Sequence, residues 1–209
     1  MPFDDAFRAD LLALLRWRRD VRRFRRDPLP AGAVDRLLAT ACLAPSVGLS
    51  QPWRFVVVDD PGRREALRDL FARCNAAAAA AYGGELARRY AALKLAGLGD
   101  APVQVAVFAD PATGVGHGLG RRTMPEAVDY SVVTAVHTLW LAARAEGIGL
   151  GWVSILDPAA VAHILDVPDR WRFIGHLCIG YPEAETEVPE LETAGWERRR
   201  STDDVVVRR

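Results

Sequence analysis

The chain has 209 residues, half of them hydrophobic and 26% charged, and its 27 basic side chains balance its 27 acidic side chains to a formal net charge of zero. This composition is typical of a folded globular protein and lacks the basic excess of a general nucleic-acid binder, whose affinity comes from neutralising phosphates. The three cysteines form no C-x-x-C pair and no apolar run is long enough for a membrane span, so we predict a cytoplasmic protein with reduced thiols and no membrane partner.

The predicted elements alternate irregularly between helices and strands, without an internal repeat. In the first half of the chain they are a helix at 4–17, a helix at 31–43, a strand at 54–60 and a helical stretch at 63–96 that is interrupted at Gly83 and Gly84.

The second half of the chain continues this alternation. Its predicted elements are a strand at 101–110, a glycine-rich loop at 110–124, a helix at 126–146, a strand at 148–155, a helix at 158–165, a strand at 173–182 and a further short strand at 204–209. The helix at 126–146 is hydrophobic on most sides, which predicts a central position. We therefore predict one α/β domain over residues 1–209, with a C-terminal extension from about residue 183 that has little core of its own.

An arginine-rich segment follows the first predicted helix and carries a single acid, Asp20, in "RRDVRRF". The guanidinium groups of Arg18, Arg19 and Arg22 offer planar sets of donors that suit phosphate oxygens, and Asp20 would keep its charge among them. The residues alone leave three interpretations open: a phosphate site with an acid inside it, a solvated surface with ion pairs, and a nucleic-acid stripe.

Two further stretches combine polar side chains with glycine. "APSVGLSQPW" could hold a polar heterocycle or a phosphate through Ser46, Gly48 and Gln51, or could simply connect a helix to a strand. "GLGWVSILDP" ends a strand at Ser154, but glycines do not flank this serine as in G-x-S-x-G, which disfavours a hydrolase. The four histidines show no metal-binding spacing, so we expect no metal site. The glycines at 114–120 do not form a dinucleotide-binding motif, so we expect no dinucleotide site there.

Several of these stretches together resemble the flavin-dependent nitroreductase superfamily: "RRDVRRF", "APSVGLSQPWRF", and "GIGLGWVSIL" before a late "IGYP". The acid at position 20, with "LKLAGLGDAP" and "LETAGWERR", is similar to one branch, the 5,6-dimethylbenzimidazole synthases. The resemblance extends from about Leu14 to Val206. It implies an α+β, nitroreductase-like fold, in which helices surround a central mixed sheet, and a homodimer with an FMN at each subunit interface and a C-terminal arm that wraps the partner subunit.

The resemblance also implies which residues bind FMN, by matching position. They are Arg18, Arg19, Asp20, Val21, Arg22, Pro45, Ser46, Gln51, Lys94, Gly151, Val153, Ser154 and Arg199. The arginines would bind the phosphate end, while Ser46 and Gln51 would come from the partner subunit. Asp20 and Ser154 would be the two catalytic residues.

The activity that this branch implies is an oxygen-dependent fragmentation of reduced FMN to 5,6-dimethylbenzimidazole, the lower ligand of cobalamin, and D-erythrose 4-phosphate. Reduced FMN would be a consumed substrate, O2 the co-substrate, and a separate flavin reductase the source of reduced FMN. A carboxylate can act as a general base in such a reaction and a serine hydroxyl can relay a proton. Two alternatives remain: an NAD(P)H-dependent FMN nitroreductase or flavin reductase, and a non-catalytic FMN-binding module.

Overall fold

The computed structural model describes residues 2–93 and 97–209 of the chain. The helices are α1 (Asp5–Trp17), α2 (Ala33–Ala41), α3 (Pro61–Ala79), α4 (Gly84–Ala92), α5 (Ala127–Ala145), α6 (Pro158–Leu165) and α7 (Glu190–Thr193), and the strands are β1 (Trp53–Val57), β2 (Val103–Ala109), β3 (Gly149–Val153) and β4 (Arg172–Gly180). Apart from the tail, the elements predicted from the sequence occur with small shifts at their ends. Within the described ranges, no helix combines the length and apolarity needed to cross a membrane.

Aspartates set the start of three helices. Asp4, Asp60 and Asp157 each accept, through a side-chain oxygen, the backbone N–H of the residue three positions later, at 2.8, 2.8 and 2.7 Å. Such caps satisfy N–H groups that have no partner within the helix. Pro61 and Pro158 occupy first positions of α3 and α6, where the missing N–H of proline carries no penalty. These caps place α6 directly after the end of β3.

The four strands form one sheet in the order β1-β2-β4-β3, and every neighbouring pair is antiparallel. The prediction of a mixed sheet was therefore wrong. That prediction came from the family resemblance. The strands β2 and β3, joined through α5, do run in the same direction. However, β4 lies between these two strands and is antiparallel to both, so β2 and β3 do not pair with each other. One isolated parallel bridge, between Asp20 and Leu150, lies at the outer edge of β3.

Helices cover both faces of this sheet. On one face α5 packs against inward-facing residues of β2 and β4 such as Val105 and Leu177, and the long helix predicted to be central is thereby confirmed as central. On the other face α3 and α6 pack against Ala106 and Phe108. A smaller cluster around Phe24 seals the edge of this second face. The arginine-rich segment crosses this edge, between the two helical layers.

Two parts of the chain keep apolar side chains at the surface. α1 contributes no buried residue, and Leu12 on it is 54% exposed. The tail packs against the rest of its own chain as far as Trp196, and it is exposed from residue 197 onward. The strand predicted at 204–209 was wrong, because residues 202–204 form a 3-10 turn and Val206 stands 57% exposed. A strand needs a neighbour for its backbone groups, and none lies beside this segment in the described chain.

Candidate active site

Asp20 extends the sheet at the outer edge of β3. The backbone N–H of Val21 donates to the carbonyl of Leu150 at 3.0 Å, and the backbone N–H of Trp152 donates to Oδ1 of Asp20 at 2.8 Å. The side chain of Asp20 thus occupies the place of a backbone carbonyl on a neighbouring strand. The carboxylate is thereby fixed beside the residues that lead to Ser154.

Two glycines on β3 make this close approach possible. A Cβ atom on Gly151 would lie 2.0 Å from the carbonyl oxygen of Val21, and one on Gly149 would lie 2.8 Å from a methyl group of Val21. Only a residue without a side chain fits at position 151, because the obstacle is backbone and cannot rotate away. The "GLG" pattern of the sequence therefore serves the docking of the Asp20 segment.

Asp20 and Ser154 border the same cavity, of about 260 Å3. Its wall is formed by Asp20, Val21, Arg22, Phe71, Gly151, Trp152, Val153, Ser154, Ile155 and Cys178. Ser154 follows the last residue of β3 and is exposed, and its hydroxyl makes no hydrogen bond within the described part of the chain. The hydroxyl is therefore available to a bound molecule. The structure brings together the two residues that the sequence singles out as catalytic.

The environment of Asp20 raises the pKa of its carboxyl group, because burial disfavours the charged form. The Trp152 N–H and the charges of Arg22 and Arg18 oppose this effect without cancelling it. Nε of Arg22 lies 3.4 Å from Oδ2 of Asp20, at the long end of a hydrogen bond. Nη1 of Arg22 is buried and has no hydrogen-bond partner in the described chain. A buried donor without a partner is costly, and it marks a position where a ligand oxygen would fit.

Three of the predicted phosphate ligands lie close to one another. Burial lowers the pKa of Arg18, the charge of Asp20 offsets part of this effect, and the nearby charge of Arg199 adds to the lowering. The pKa of Arg19 is lowered by burial and by Arg18 and Arg199. Like charges held together in this way favour binding of an anion, which relieves their repulsion. The tail brings Arg199 to this cluster although it is remote in sequence.

Arg19 differs from its neighbours because its guanidinium donates hydrogen bonds to backbone carbonyls of its own chain. Its guanidinium donates to the backbone carbonyl of Thr186 at 3.2 Å and to those of Arg16, Arg18 and Glu187. Arg19 therefore ties the arginine-rich segment to the tail and adds its charge to the cluster.

An aromatic cluster anchors the tail just before Arg199. The ring of Trp196 makes edge contacts with Tyr82 and Tyr90, at 5.6 and 6.1 Å between centroids. Arg89 on α4 donates to the carbonyl of Gly195 at 2.8 Å. These contacts fix the tail on α4, so Arg199 lies only three residues after a firmly held side chain, that of Trp196.

The loop that carries Pro45, Ser46 and Gln51 does not line the cavity of Asp20 and Ser154 in the described chain. Oγ of Ser46 accepts the backbone N–H of Gln51 at 3.1 Å, and Gln51 has a positive φ of 43°. The carbonyl of Pro45 accepts a hydrogen bond from Thr134 on α5 at 2.9 Å. Contacts within its own chain therefore hold the loop in place, but the loop does not face the cavity of Asp20 and Ser154. Lys94, the remaining predicted ligand, lies outside the described residues.

Sequence reasoning did not identify two residues beside the candidate site. Cys178 lines the cavity, and burial raises the pKa of its thiol to about 12. Trp140 on α5 supports Arg18 with its ring face, although its position predicts only a core residue. The period-2 pattern of β4 gives no sign of which face meets a cavity, so no signal in the sequence identifies Cys178. Trp140 lies in an apolar helix far along the chain, so its place in the sequence gives no sign of its contact with Arg18.

Comparison with known proteins gives a consistent result. A model of the nitroreductase family matches residues 15–181. A curated relative from Rhodospirillum rubrum, named 5,6-dimethylbenzimidazole synthase, is 61% identical over 95% of this chain and 94% of its own. A relative of the same name from Rhodobacter capsulatus is 49% identical over 97% of this chain and 98% of its own. Among solved structures, an oxidized iodotyrosine deiodinase bound to FMN and 3-iodo-L-tyrosine matches with a TM-score of 0.75 and 25% identity, over 95% of this chain and 97% of the deiodinase chain.

Proposed function

This chain belongs to the nitroreductase family, and on that premise we propose that it acts as a 5,6-dimethylbenzimidazole synthase, which fragments reduced FMN with O2. The names of the two relatives confirm the branch that the sequence motifs predict. The observation within the structure that carries the proposal is the convergence of Asp20 and Ser154 on one cavity, next to a cluster of arginines.

The residues present fit FMN. Arg18 and Arg199 would hold the phosphate, with Arg19 adding its charge, and the unpartnered Nη1 of Arg22 would donate to a polar atom of the ligand. Val21, Gly151 and Val153 would line the ring, since they border the cavity without adding polar groups. When bound and reduced, FMN supplies the electrons that react with O2 and the carbon skeleton of the product.

Asp20 would act as a general base through Oδ2. Oδ1 already accepts the N–H of Trp152 at 2.8 Å, whereas Oδ2 has only the long contact with Arg22. The raised pKa makes the carboxylate a better proton acceptor than an exposed aspartate, which suits a base that works near neutral pH. The exposed hydroxyl of Ser154 would relay a proton within the same cavity.

A homodimer would complete the site. The loop with Pro45, Ser46 and Gln51 does not reach the Asp20 cavity of its own chain, so we propose that it contributes to the site of the partner subunit. Exposed apolar residues would form the contact, among them Leu12 on α1 and Leu49 beside the loop, which are 54% and 69% exposed. The arm that would wrap the partner would begin near residue 197, because the preceding tail packs on its own chain.

A supply of reduced FMN is also part of the proposal. We assign a base, a proton relay and a phosphate clamp to this chain, and we assign the reduction of FMN to a separate flavin reductase. We further propose that both proteins work in the cytoplasm, where nicotinamide cofactors drive flavin reduction.

The direct test is aerobic incubation of the purified chain with FMN that a separate reductase keeps reduced, followed by chromatography of the products. We expect FMN to disappear as 5,6-dimethylbenzimidazole appears in equal amount. Asp20→Asn should still bind FMN but form no benzimidazole, and Ser154→Ala should lower the yield strongly. Asp59→Asn, an exposed aspartate remote from the cavity, is the matched control and should behave as the parent chain.

Recovery of intact FMN from the parent chain would overturn the proposal. If the chain then reduced a nitroaromatic compound with NAD(P)H, it would be an ordinary nitroreductase. Formation of benzimidazole by Asp20→Asn at the parent rate would leave the synthase activity in place but remove the role of Asp20.

A further inference from the structure

Trp140 on α5 contacts the arginine-rich segment from the face of the sheet that α5 covers. Its indole Nε1–H donates to the backbone carbonyl of Arg19 at 3.0 Å. The guanidinium carbon of Arg18 lies 4.8 Å from the centroid of the same ring. One side chain therefore holds both the backbone of this segment and the head group of one of its arginines.

The same tryptophan is also linked to the strand that fixes Asp20. The rings of Trp140 and Trp152 lie 6.3 Å apart at an angle of 41°. The indole of Trp152 rests on Gly175, where an added Cβ would meet its Nε1 at 2.1 Å. Trp140 thus packs against a ring that the sheet holds in place. It does not line the cavity that contains Ser154.

The position of Arg18 needs such a support. Arg18 is attracted by the carboxylate of Asp20 and repelled by the like charges of Arg19 and Arg199, and these opposing forces do not by themselves hold its flexible side chain in one orientation before an anion binds. An aromatic face attracts a guanidinium and can hold it in one orientation. A donor that is already in place binds an anion more tightly, because less side-chain freedom is lost on binding.

We propose that Trp140 is a positioning residue for the phosphate clamp and thereby sets the preference of this site for FMN over riboflavin. This inference rests on the proposed function, in which Arg18 and Arg199 hold the phosphate of FMN. The hydrogen bond and the ring contact of Trp140 go to Arg19 and Arg18, at the phosphate end of the proposed site, so we expect its loss to weaken recognition of the phosphate and to spare recognition of the ring.

The test compares two variants at position 140. Trp140→Phe keeps an aromatic face under Arg18 but loses the N–H donor to Arg19, and Trp140→Leu loses both. Trp171→Leu is the matched control, because Trp171 also lies under an arginine, Arg54 at 5.9 Å, on a part of the fold remote from the site. Dissociation constants of oxidised FMN and of riboflavin are measured by flavin fluorescence for each protein, together with the melting temperature.

We expect Trp140→Leu to weaken FMN binding by about tenfold and Trp140→Phe by about threefold. Riboflavin affinity should stay unchanged in both variants, and the control should match the parent chain for both flavins. In turnover with reduced FMN, KM should rise while kcat at saturation is kept.

Equal weakening of both flavins would overturn the inference, because it would show a merely structural role. Unchanged binding of both flavins would overturn it as well. If Trp140→Leu does not fold, Trp140→Phe decides by the same comparison. If the parent chain prefers FMN but forms no benzimidazole, the proposed function is refuted, and the dissociation constants of the variants still decide this inference. If the parent chain does not prefer FMN over riboflavin, both the phosphate site and the inference are refuted.

Discussion

Oδ1 of Asp20 accepts the backbone N–H of Trp152 at 2.8 Å, so that a side chain continues the sheet where β3 has no further strand. The bond explains how an aspartate in an arginine-rich segment comes to lie beside a serine far along the chain. It also holds the carboxylate in a place that is partly shielded from water, although 38% of its side-chain surface is still exposed. Burial at this place raises the pKa of the carboxyl group, and the Trp152 N–H opposes that effect only in part.

The first prediction concerns the stability cost of this arrangement. The folded-state pKa of Asp20 is raised above that of the unfolded chain, so folding favours the protonated form. Stability from this group is therefore greatest below the ordinary aspartate pKa and is lost as the pH rises through the raised value. Asp20→Asn removes the buried charge while its amide oxygen can still accept the Trp152 N–H. We expect its melting temperature to equal or exceed that of the parent chain at pH 7, with the difference shrinking as the pH falls toward 4.

Asp59→Asn serves as the control, since Asp59 is exposed and does not line the Asp20 cavity, and it should melt as the parent chain does. A melting temperature of Asp20→Asn that lies below the parent value at pH 7 and above it at pH 4 would show that the ionised carboxylate stabilises the fold.

Much of this candidate site could be proposed from the sequence, because the residues assigned to it occur in compact motifs. Asp20 and Arg22 stand in "RRDVRRF", and Ser154 ends an apolar strand pattern, so family resemblance assigns each a role. The bond between Asp20 and the Trp152 N–H could not be predicted, because no sequence pattern shows that a side chain will replace a backbone carbonyl. The antiparallel sheet was missed for a similar reason: the insertion of β4 between β2 and β3 depends on packing across the whole sheet.

The second prediction tests the close contact between β3 and the Asp20 segment. Gly151→Ala places a Cβ atom 2.0 Å from the carbonyl oxygen of Val21, which forces the segment away from the strand. We expect a loss of stability of about 1–3 kcal/mol, typical of overpacking, and a loss of product formation greater than tenfold. Unfolding by urea and the benzimidazole assay measure the two effects.

Gly114→Ala is the matched control for this change. A Cβ atom there meets nothing within 4 Å, and its φ of −74° suits alanine. Both stability and activity should be kept. Full activity of Gly151→Ala would show that the Asp20 segment can shift without harm to the reaction.

The third prediction concerns the thiol beside the proposed base. Cys178 is 1% exposed, and burial raises the pKa of its thiol to about 12, so the reactive thiolate is scarce at neutral pH. We expect iodoacetamide at pH 8 to leave Cys178 unmodified in the folded protein and to modify it fully after denaturation, as read by peptide mass spectrometry. Rapid modification in the folded protein would show that the cavity opens to solvent and that Cys178 is more acidic than its burial indicates.

The fourth prediction concerns a histidine that sequence reasoning treated only as a non-ligand. His176 is fully buried, and its Nε2 lies 3.0 Å from Oε1 of Gln104. The amide nitrogen of Gln104 donates to the carbonyl of Leu98, so Oε1 must accept and Nε2 of His176 must carry the proton. Nδ1 has no partner within the described residues, and burial lowers the pKa of the ring from 6.5 to about 4. The folded protein therefore holds a neutral histidine in its core.

The sign of the resulting pH dependence follows from this lowered pKa. Above pH 6.5 the histidine is neutral in both states, and its contribution to stability is fully present. As the pH falls from 6.5 toward 4, the unfolded chain takes up a proton that the folded chain refuses, and about 3 kcal/mol of stability is lost. His176→Gln keeps an N–H donor for Gln104 and cannot titrate, so its free energy of unfolding should change less over this range. His137→Gln, an exposed histidine on α5, should follow the parent chain. Urea unfolding at a series of pH values decides, and parallel curves for His176→Gln and the parent chain would show that the buried histidine is already charged at pH 6.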